Sequence, residues 1–207
     1  MAEVNNPLLQ RVYGLTSTDE AEQVYNEWAE TYDSDTVGGM GYVAPALAAD
    51  KMAEHLTTPA TVLDAGCGTG LAGAELAKRV DVVIDGVDLS QGMLDKAAAL
   101  GVYRSLQTAD LTQALTISDA SYDGLICVGT LTGGHVGPDA LDDMIRVVRP
   151  GGVVVATVHE SVWEAEGYPA HLDQLVQRGA VHLRGAEERP YHEREGLNCR
   201  LCTLEVR

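Results

Sequence analysis

The order of hydrophobic periods along this chain predicts an α/β fold: a doubly wound, seven-stranded, mostly parallel sheet with one antiparallel strand and helices at the N-terminus. Three observations predict it. Short apolar runs at 60–63, 82–88, 103–108, 122–128 and 153–158 alternate with stretches of helical period, the pattern of parallel strands joined by crossover helices. The first run ends in Asp64 and is followed by Gly66, Gly68 and Gly70, a glycine turn between a strand and a helix. The last two runs, at 181–184 and 198–204, have no helical stretch between them, as in a hairpin-like antiparallel pair. At 207 residues the chain fits a single domain over 1–207, with 1–56 as a helical lid region and 57–207 as the α/β core.

Taken in order, the chain opens with a helix over 19–32. Thr18 is placed to cap it, acids fill its first turn, and Tyr25, Trp28, Ala29 and Tyr32 fall on one aromatic face. Residues 37–42 contain Gly38, Gly39 and Gly41 and read as a flexible connector that can serve as a lid hinge. Pro45 suits the first turn of a second helix, 46–56. The strand at 60–63 leads through the glycine turn into a helix at 71–78, and the strand at 82–88 leads through Ser90, a candidate cap, into a helix at 91–100. The run at 122–128 is apolar throughout, as a central parallel strand must be. A helix at 139–148, a turn at 149–152, the fifth strand and a helix at 170–178 follow. The charged stretch through Tyr191 is expected to bend or loop between the last two strands.

The glycine turn is a ligand-cradling unit. Glycines there take positive φ and let a ligand approach main-chain atoms without meeting a Cβ, so nucleotide-like ligands are the candidates. The dinucleotide fingerprint requires G-x-G-x-x-G, and Leu71 stands where its third glycine belongs. Asp88, at the end of the second strand, lies beside the glycine turn, where a carboxylate can accept hydrogen bonds from both hydroxyls of a ribose. Asp110, at the end of the third, can accept the exocyclic amine of an adenine or act as a turn aspartate, with Leu111 as an apolar neighbour. The segment from Gly129 and Thr130 to His135 follows the fourth strand and faces the same crevice.

Composition narrows the partners. Hydrophobic residues make up 45% and charged residues 22%, as in a soluble globular protein, and the formal net charge is −17. So acidic a surface repels phosphate backbones and anionic lipid heads, which argues against nucleic acid and membrane partners. The N-terminal residues carry neither a basic segment nor an apolar core, and four cysteines do not make a disulfide framework, so a reduced, cytoplasmic setting is expected. Cys199 and Cys202 lie in an extended stretch where an odd offset sends them to opposite faces, and no metal site is expected. A homodimer is left open.

The ordered set Val62-Leu63-Asp64-Ala65-Gly66-Cys67-Gly68-Thr69-Gly70, Gly86-Val87-Asp88-Leu89-Ser90-x-x-Met93-Leu94, Ala109-Asp110-Leu111, Tyr122-Asp123-Gly124-Leu125-Ile126 and Val148-Arg149-Pro150-Gly151-Gly152 resembles class I S-adenosylmethionine-dependent methyltransferases, with their Rossmann-like fold. Tyr25-Asn26-Glu27-Trp28-Ala29-x-x-Tyr32-Asp33 and the tail from Tyr191-His192 to Glu205 are similar to the methyltransferase-like family of the Williams-Beuren syndrome region, although Asn26 stands where that pattern usually has Asp or Ser. The resemblance implies that Asp64, Gly66, Cys67 and Gly68 line the methionine part of S-adenosylmethionine, and that Asp88 holds the ribose. It implies Leu89, Met93, Asp110 and Leu111 around the adenine, Gly129 and Thr130 beside the methyl, and Tyr25, Trp28 and Tyr32 as a lid.

Methyl transfer from a sulfonium needs alignment and the exclusion of water, and it needs a base only where the acceptor carries a proton. His135 is the nearest titratable candidate, and Tyr32 can position or deprotonate an acceptor. The loop after the fourth strand lacks the Asn/Asp-Pro-Pro-aromatic pattern of enzymes that methylate adenine amines or glutamine side chains. No paired-Glu loop of the arginine methyltransferase kind is present either, so a small-molecule acceptor is expected, with S-adenosylhomocysteine as product. Two other functions share the fold class. A non-catalytic module that binds the adenosyl ligand is separated by turnover, and a nicotinamide oxidoreductase is disfavoured by Leu71 and by the absence of a Tyr-x-x-x-Lys pair.

Overall fold

Strand β1, Ala60–Ala65, is almost wholly buried because helices cover both faces of the sheet around it. The computed structural model describes Val12, residues 17–134 and residues 136–207. On one side β1 pairs in parallel with β2, Val82–Asp88, which in turn pairs in parallel with β3, Tyr103–Thr108. On the other side it pairs with β4, Tyr122–Leu131, and β4 with β5, Val148–His159, again in parallel. A hairpin of β6, Val181–His192, and β7, Leu197–Val206, completes the order β3-β2-β1-β4-β5-β7-β6. The one antiparallel strand is β7, which runs against both β5 and β6. Because the chain builds outward from β1 to β3 and then returns to place β4 on the other side, the connections after β1 and β4 diverge. A crevice opens there, outside the carboxyl ends of the strands.

Alternation along the strands divides the core in two. Val62, Ile126, Val155 and Leu201 meet Ala48 and Met52 of α2, Ala44–His55, and Leu76 of α3, Leu71–Ala77. Their neighbours Leu63, Leu125, Val154 and Leu204 point the other way, against Leu141 and Met144 from Ala140–Arg146 and Tyr168 and Leu172 from Tyr168–Gln177. Cys199 and Cys202, each 1% exposed, fall into opposite clusters as their odd offset requires. Among the described residues no helix is long and apolar enough to cross a membrane.

Four expectations about elements need correction. The first helix, α1, covers Thr18–Trp28 and not 19–32; Ser17 rather than Thr18 caps it, its Oγ accepting from the Glu20 amide at 3.3 Å. The glycine-rich connector at 37–42 is ordered into a π-helical segment, Ser34–Met40, because Thr36 and Met40 are buried and Gly41 ends it at φ 70°. β4 runs on through Gly129 and Thr130 to Leu131 after a register shift. The charged stretch before Tyr191 is also continuous strand: β6 is an edge strand, so its charged side chains reach solvent while its backbone pairs with β7. Cross-strand pairs Arg200–Glu188 and Arg184–Glu205 further tie the two strands together.

Candidate active site

Three glycines shape the floor of the crevice. Gly66, Gly68 and Gly70 have φ of 73°, 53° and 92°, all left-handed, so side chains at these positions would strain the turn. The Gly66 and Cys67 amides both donate to the Val87 carbonyl, at 2.8 and 3.0 Å, which binds the turn to the end of β2. A Cβ on Gly66 would stand 2.0 Å from Thr130 Oγ1, so this glycine lets the end of β4 close against the turn. At Gly68 a Cβ would meet nothing within 4 Å, which leaves its backbone open to the crevice.

Asp88 closes the β2 side. Its Oδ2 accepts from the Gly68 amide at 2.8 Å and its Oδ1 from the Ser90 amide at 2.9 Å. Burial raises its pKa and these backbone donors oppose the shift. A carboxylate has about four lone-pair sites, so these backbone donors leave acceptor capacity to spare. Ser90 Oγ accepts from the Met93 amide at 3.1 Å and caps α4, Gln91–Ala99, as its position in the sequence suggests.

Two hydrogen-bonded clasps hold the lid to this floor, beside a Glu30–Lys96 ion pair at 2.8 Å. Asn26 Oδ1 accepts from Ser90 Oγ at 2.7 Å and from the Gly92 amide at 2.8 Å, a double acceptor role that a carboxylate at this position would fill equally. Asp33 Oδ1 accepts from the buried Thr69 hydroxyl at 2.5 Å, directly over the glycine turn. Between the clasps, Tyr25 and Tyr32 turn toward a cavity of about 230 Å³ that also has Gly66, Cys67, Gly68, Asp88, Leu89 and Met93 on its walls. Asp110, Leu111, Gly129 and Thr130 complete the predicted residues that the structure brings to this cavity. Asp110 is at the same time a turn aspartate, accepting from the Thr112 amide at 2.8 Å and hydroxyl at 2.7 Å.

Two predicted residues stand apart from the cavity wall. Asp64 is 1% exposed beneath the turn, where Oδ2 accepts from the Tyr103 hydroxyl at 2.7 Å and Oδ1 has no hydrogen-bond partner among the described residues. Burial pushes its carboxyl up to about 7 against the Tyr103 hydrogen bond. Trp28, 2% exposed, packs into the lid, with Nε1 donating to Asp35 Oδ2 at 2.9 Å and its ring 4.8 Å from that of Tyr32. His135 lies outside the described residues.

A second group was not legible as a site. Tyr42 is held against the end of β6, where the Val43 amide donates to the Tyr191 carbonyl at 3.1 Å and the Glu193 amide to the Gly41 carbonyl at 3.0 Å. The rings of Tyr42, Tyr191 and His192 lie within 5.0 Å of one another, and His159 packs on Tyr191 at 5.2 Å. A Cβ on Gly129 would come 2.4 Å from the Tyr42 hydroxyl and 3.3 Å from that of Tyr191, so both hydroxyls sit at the end of β4. Burial raises the Tyr42 pKa, with Tyr191 adding to the effect, and burial beside His159 lowers His192 to about 4. In the sequence Tyr191-His192 belongs to a tail pattern, and the charged residues before it mask its inward position.

Residues 62–152 match the family model described as a methyltransferase domain. The human methyltransferase-like protein 27 is 35% identical over 178 residues, which covers 83% of this chain and 72% of that protein. Of other methyltransferases with about a third identity, the chain spans less than half the length. Among solved structures, the [4+2]-cyclase SpnF superposes with a TM-score of 0.69 at 17% identity, covering 93% of this chain and 97% of that one. The Burkholderia thailandensis 1,6-didemethyltoxoflavin-N1-methyltransferase, with 1,6-didemethyltoxoflavin and S-adenosylhomocysteine bound, gives 0.64 at 21% identity, covering 93% and 91%. These two show the fold; the cyclase is a reminder that fold alone does not fix the reaction. The identity with the human protein across most of both chains goes further, and with it the chain belongs to the class I S-adenosylmethionine-dependent methyltransferases.

Proposed function

We propose that the protein transfers the S-methyl group of S-adenosylmethionine to a small-molecule acceptor and releases S-adenosylhomocysteine. The observation that carries this reading is the lidded cavity at the β1/β4 switch point, where an open glycine backbone, a carboxylate with spare acceptor capacity and an apolar patch share one wall. These groups fit an adenosyl ligand. Asp88 would accept from the ribose hydroxyls, Leu89, Met93 and Leu111 would flank the adenine with Asp110 at its edge, and the backbone from Gly66 to Gly68 would run along the methionine moiety. When bound, the sulfonium supplies the electrophilic methyl. The chain's own part is to hold the donor, present the acceptor in line near Gly129 and Thr130, and exclude water; such positioning can lower a barrier by about 7–11 kcal/mol.

Enclosure argues for a small acceptor, since Tyr25 and Tyr32 roof the cavity and Asn26 and Asp33 hold the roof down. The charge of −17 supports free metabolites over nucleic acid or membrane surfaces, and a cytoplasmic enzyme. Tyr32 faces the cavity and can orient an acceptor. Isothermal titration is expected to show binding of S-adenosylhomocysteine and none of NAD, and Asp88→Ala is expected to weaken that binding by about 1–3 kcal/mol. S-adenosylhomocysteine formed with a member of a metabolite panel confirms transfer; tighter binding of NAD overturns the reading.

A further inference from the structure

Behind Gly129 lies a second, smaller chamber of about 20 Å³, lined by Tyr25, Trp28, Tyr32, Thr132, Tyr191 and His192. It shares Tyr25, Tyr32 and Gly129 with the larger cavity. Its volume is that of about one water molecule, which is also the size of a hydroxyl or amino group. His192 is 3% exposed and its Nδ1 has no hydrogen-bond partner among the described residues. A buried ring nitrogen left unpaired is costly, and such a group calls for a ligand or a water to satisfy it. Among the described residues the chamber has no lysine or arginine on its walls to compensate an anionic head group.

We infer that this chamber receives the accepting atom, and that His192 Nδ1 accepts the hydrogen of an O–H or N–H carried on a small aromatic frame that stacks under Tyr25 and Tyr32. The inference rests on the methyltransferase reading above and narrows its acceptor to neutral hydrogen-bond donors, against carboxylates. Three features support it. Gly129, at the boundary of the two cavities, puts the head group beside the end of β4, where the methyl would be presented. The Tyr42 and Tyr191 rings fix the imidazole from two sides, at 4.9 and 4.5 Å. Burial keeps the ring neutral at physiological pH, the state in which one nitrogen is an acceptor.

Phenol, anisole and benzoate serve as probes, with the protein saturated by S-adenosylhomocysteine. In nitrogen-15 spectra of histidine-labelled protein, phenol is expected to shift the His192 Nδ1 resonance, and anisole and benzoate to leave it in place. His192→Phe, which keeps a planar ring against Tyr42 and Tyr191, is expected to weaken phenol binding about tenfold, the loss of one good hydrogen bond. Its affinity for S-adenosylhomocysteine is expected to stay within about twofold of wild type. Equal shifts by phenol and anisole, preferential binding of benzoate, or no response of His192 to any probe overturns the inference. Failure of S-adenosylhomocysteine to bind the wild-type protein would instead sink the reading on which it rests.

Discussion

Asp64 shows how a single residue can couple the floor of the site to pH. It is fully enclosed beneath the glycine turn, with one oxygen held by Tyr103 and the other without a hydrogen-bond partner among the described residues, and burial raises its pKa from an ordinary 3.8 to about 7. Between those values the folded state binds a proton that the unfolded chain has released, so this residue's contribution to stability falls as pH rises. It is fully present below about pH 4 and lost as pH passes about 7, a change on the order of 4 kcal/mol over the window. Asp64→Asn can still accept from Tyr103 and does not titrate. Urea unfolding from pH 4.5 to 7.5 is expected to show wild-type stability declining relative to the variant by a few kcal/mol; parallel curves would show that Asp64 is already ionised. The acid was legible in the sequence as the end of a strand, but its burial was not, because Tyr103 comes from a strand two positions away in the sheet.

At the scale of elements, the lid is a helix and a π-helical segment joined to the core by few polar contacts. Its cluster of Ala21, Val24, Trp28 and Met40 reaches the core through Leu197 of β7 and Leu89, and is separate from the two clusters that sandwich the sheet. Local opening free energies differ across a protein, and an element seated by a small apolar cluster opens first. Removing both clasps with Asn26→Ala and Asp33→Ala is therefore expected to speed amide exchange across residues 18–40 by about tenfold or more, with β1 and β4 unchanged. Affinity for S-adenosylhomocysteine should fall by about 1–3 kcal/mol, because the roof must then be ordered on binding. Unchanged exchange would mean that apolar packing alone seats the lid. This is also the region where sequence reading fell short. Period and capping found the core helices and strands, whose local preferences agree with their tertiary setting, whereas the segment with Gly38, Gly39 and Gly41 is helical only because Thr36 and Met40 find burial. β6 misled for the converse reason: its charges suit an exposed edge, and only the partner strand reveals that the backbone is paired.

For the whole molecule, the doubly wound sheet and its crevice were legible from alternation and the glycine turn, but the distribution of charge acts beyond any one element. With 14 basic and 31 acidic residues, the surface carries −17, and much of the basic complement is engaged locally, as in Arg79 with Asp50 and Glu75 or Arg146 with Asp119 and Asp143. Asp88 lies beside the cavity with backbone amides and no cationic side chain bonded to it among the described residues, so the negative field extends to the site itself. The methyl donor is a cation, through its sulfonium and ammonium against one carboxylate, whereas the product is neutral overall. The field therefore favours the donor over the product, and that preference is long-ranged enough to be screened. Raising NaCl from about 10 to 150 mM shortens the Debye length from roughly 30 to 8 Å. Titration calorimetry is expected to show the Kd of S-adenosylmethionine rising by about two- to fivefold over that range while that of S-adenosylhomocysteine changes little. Equal salt dependence for the two ligands would confine the effect of the acidic surface to solubility, and would leave discrimination between donor and product to contacts at the sulfur alone.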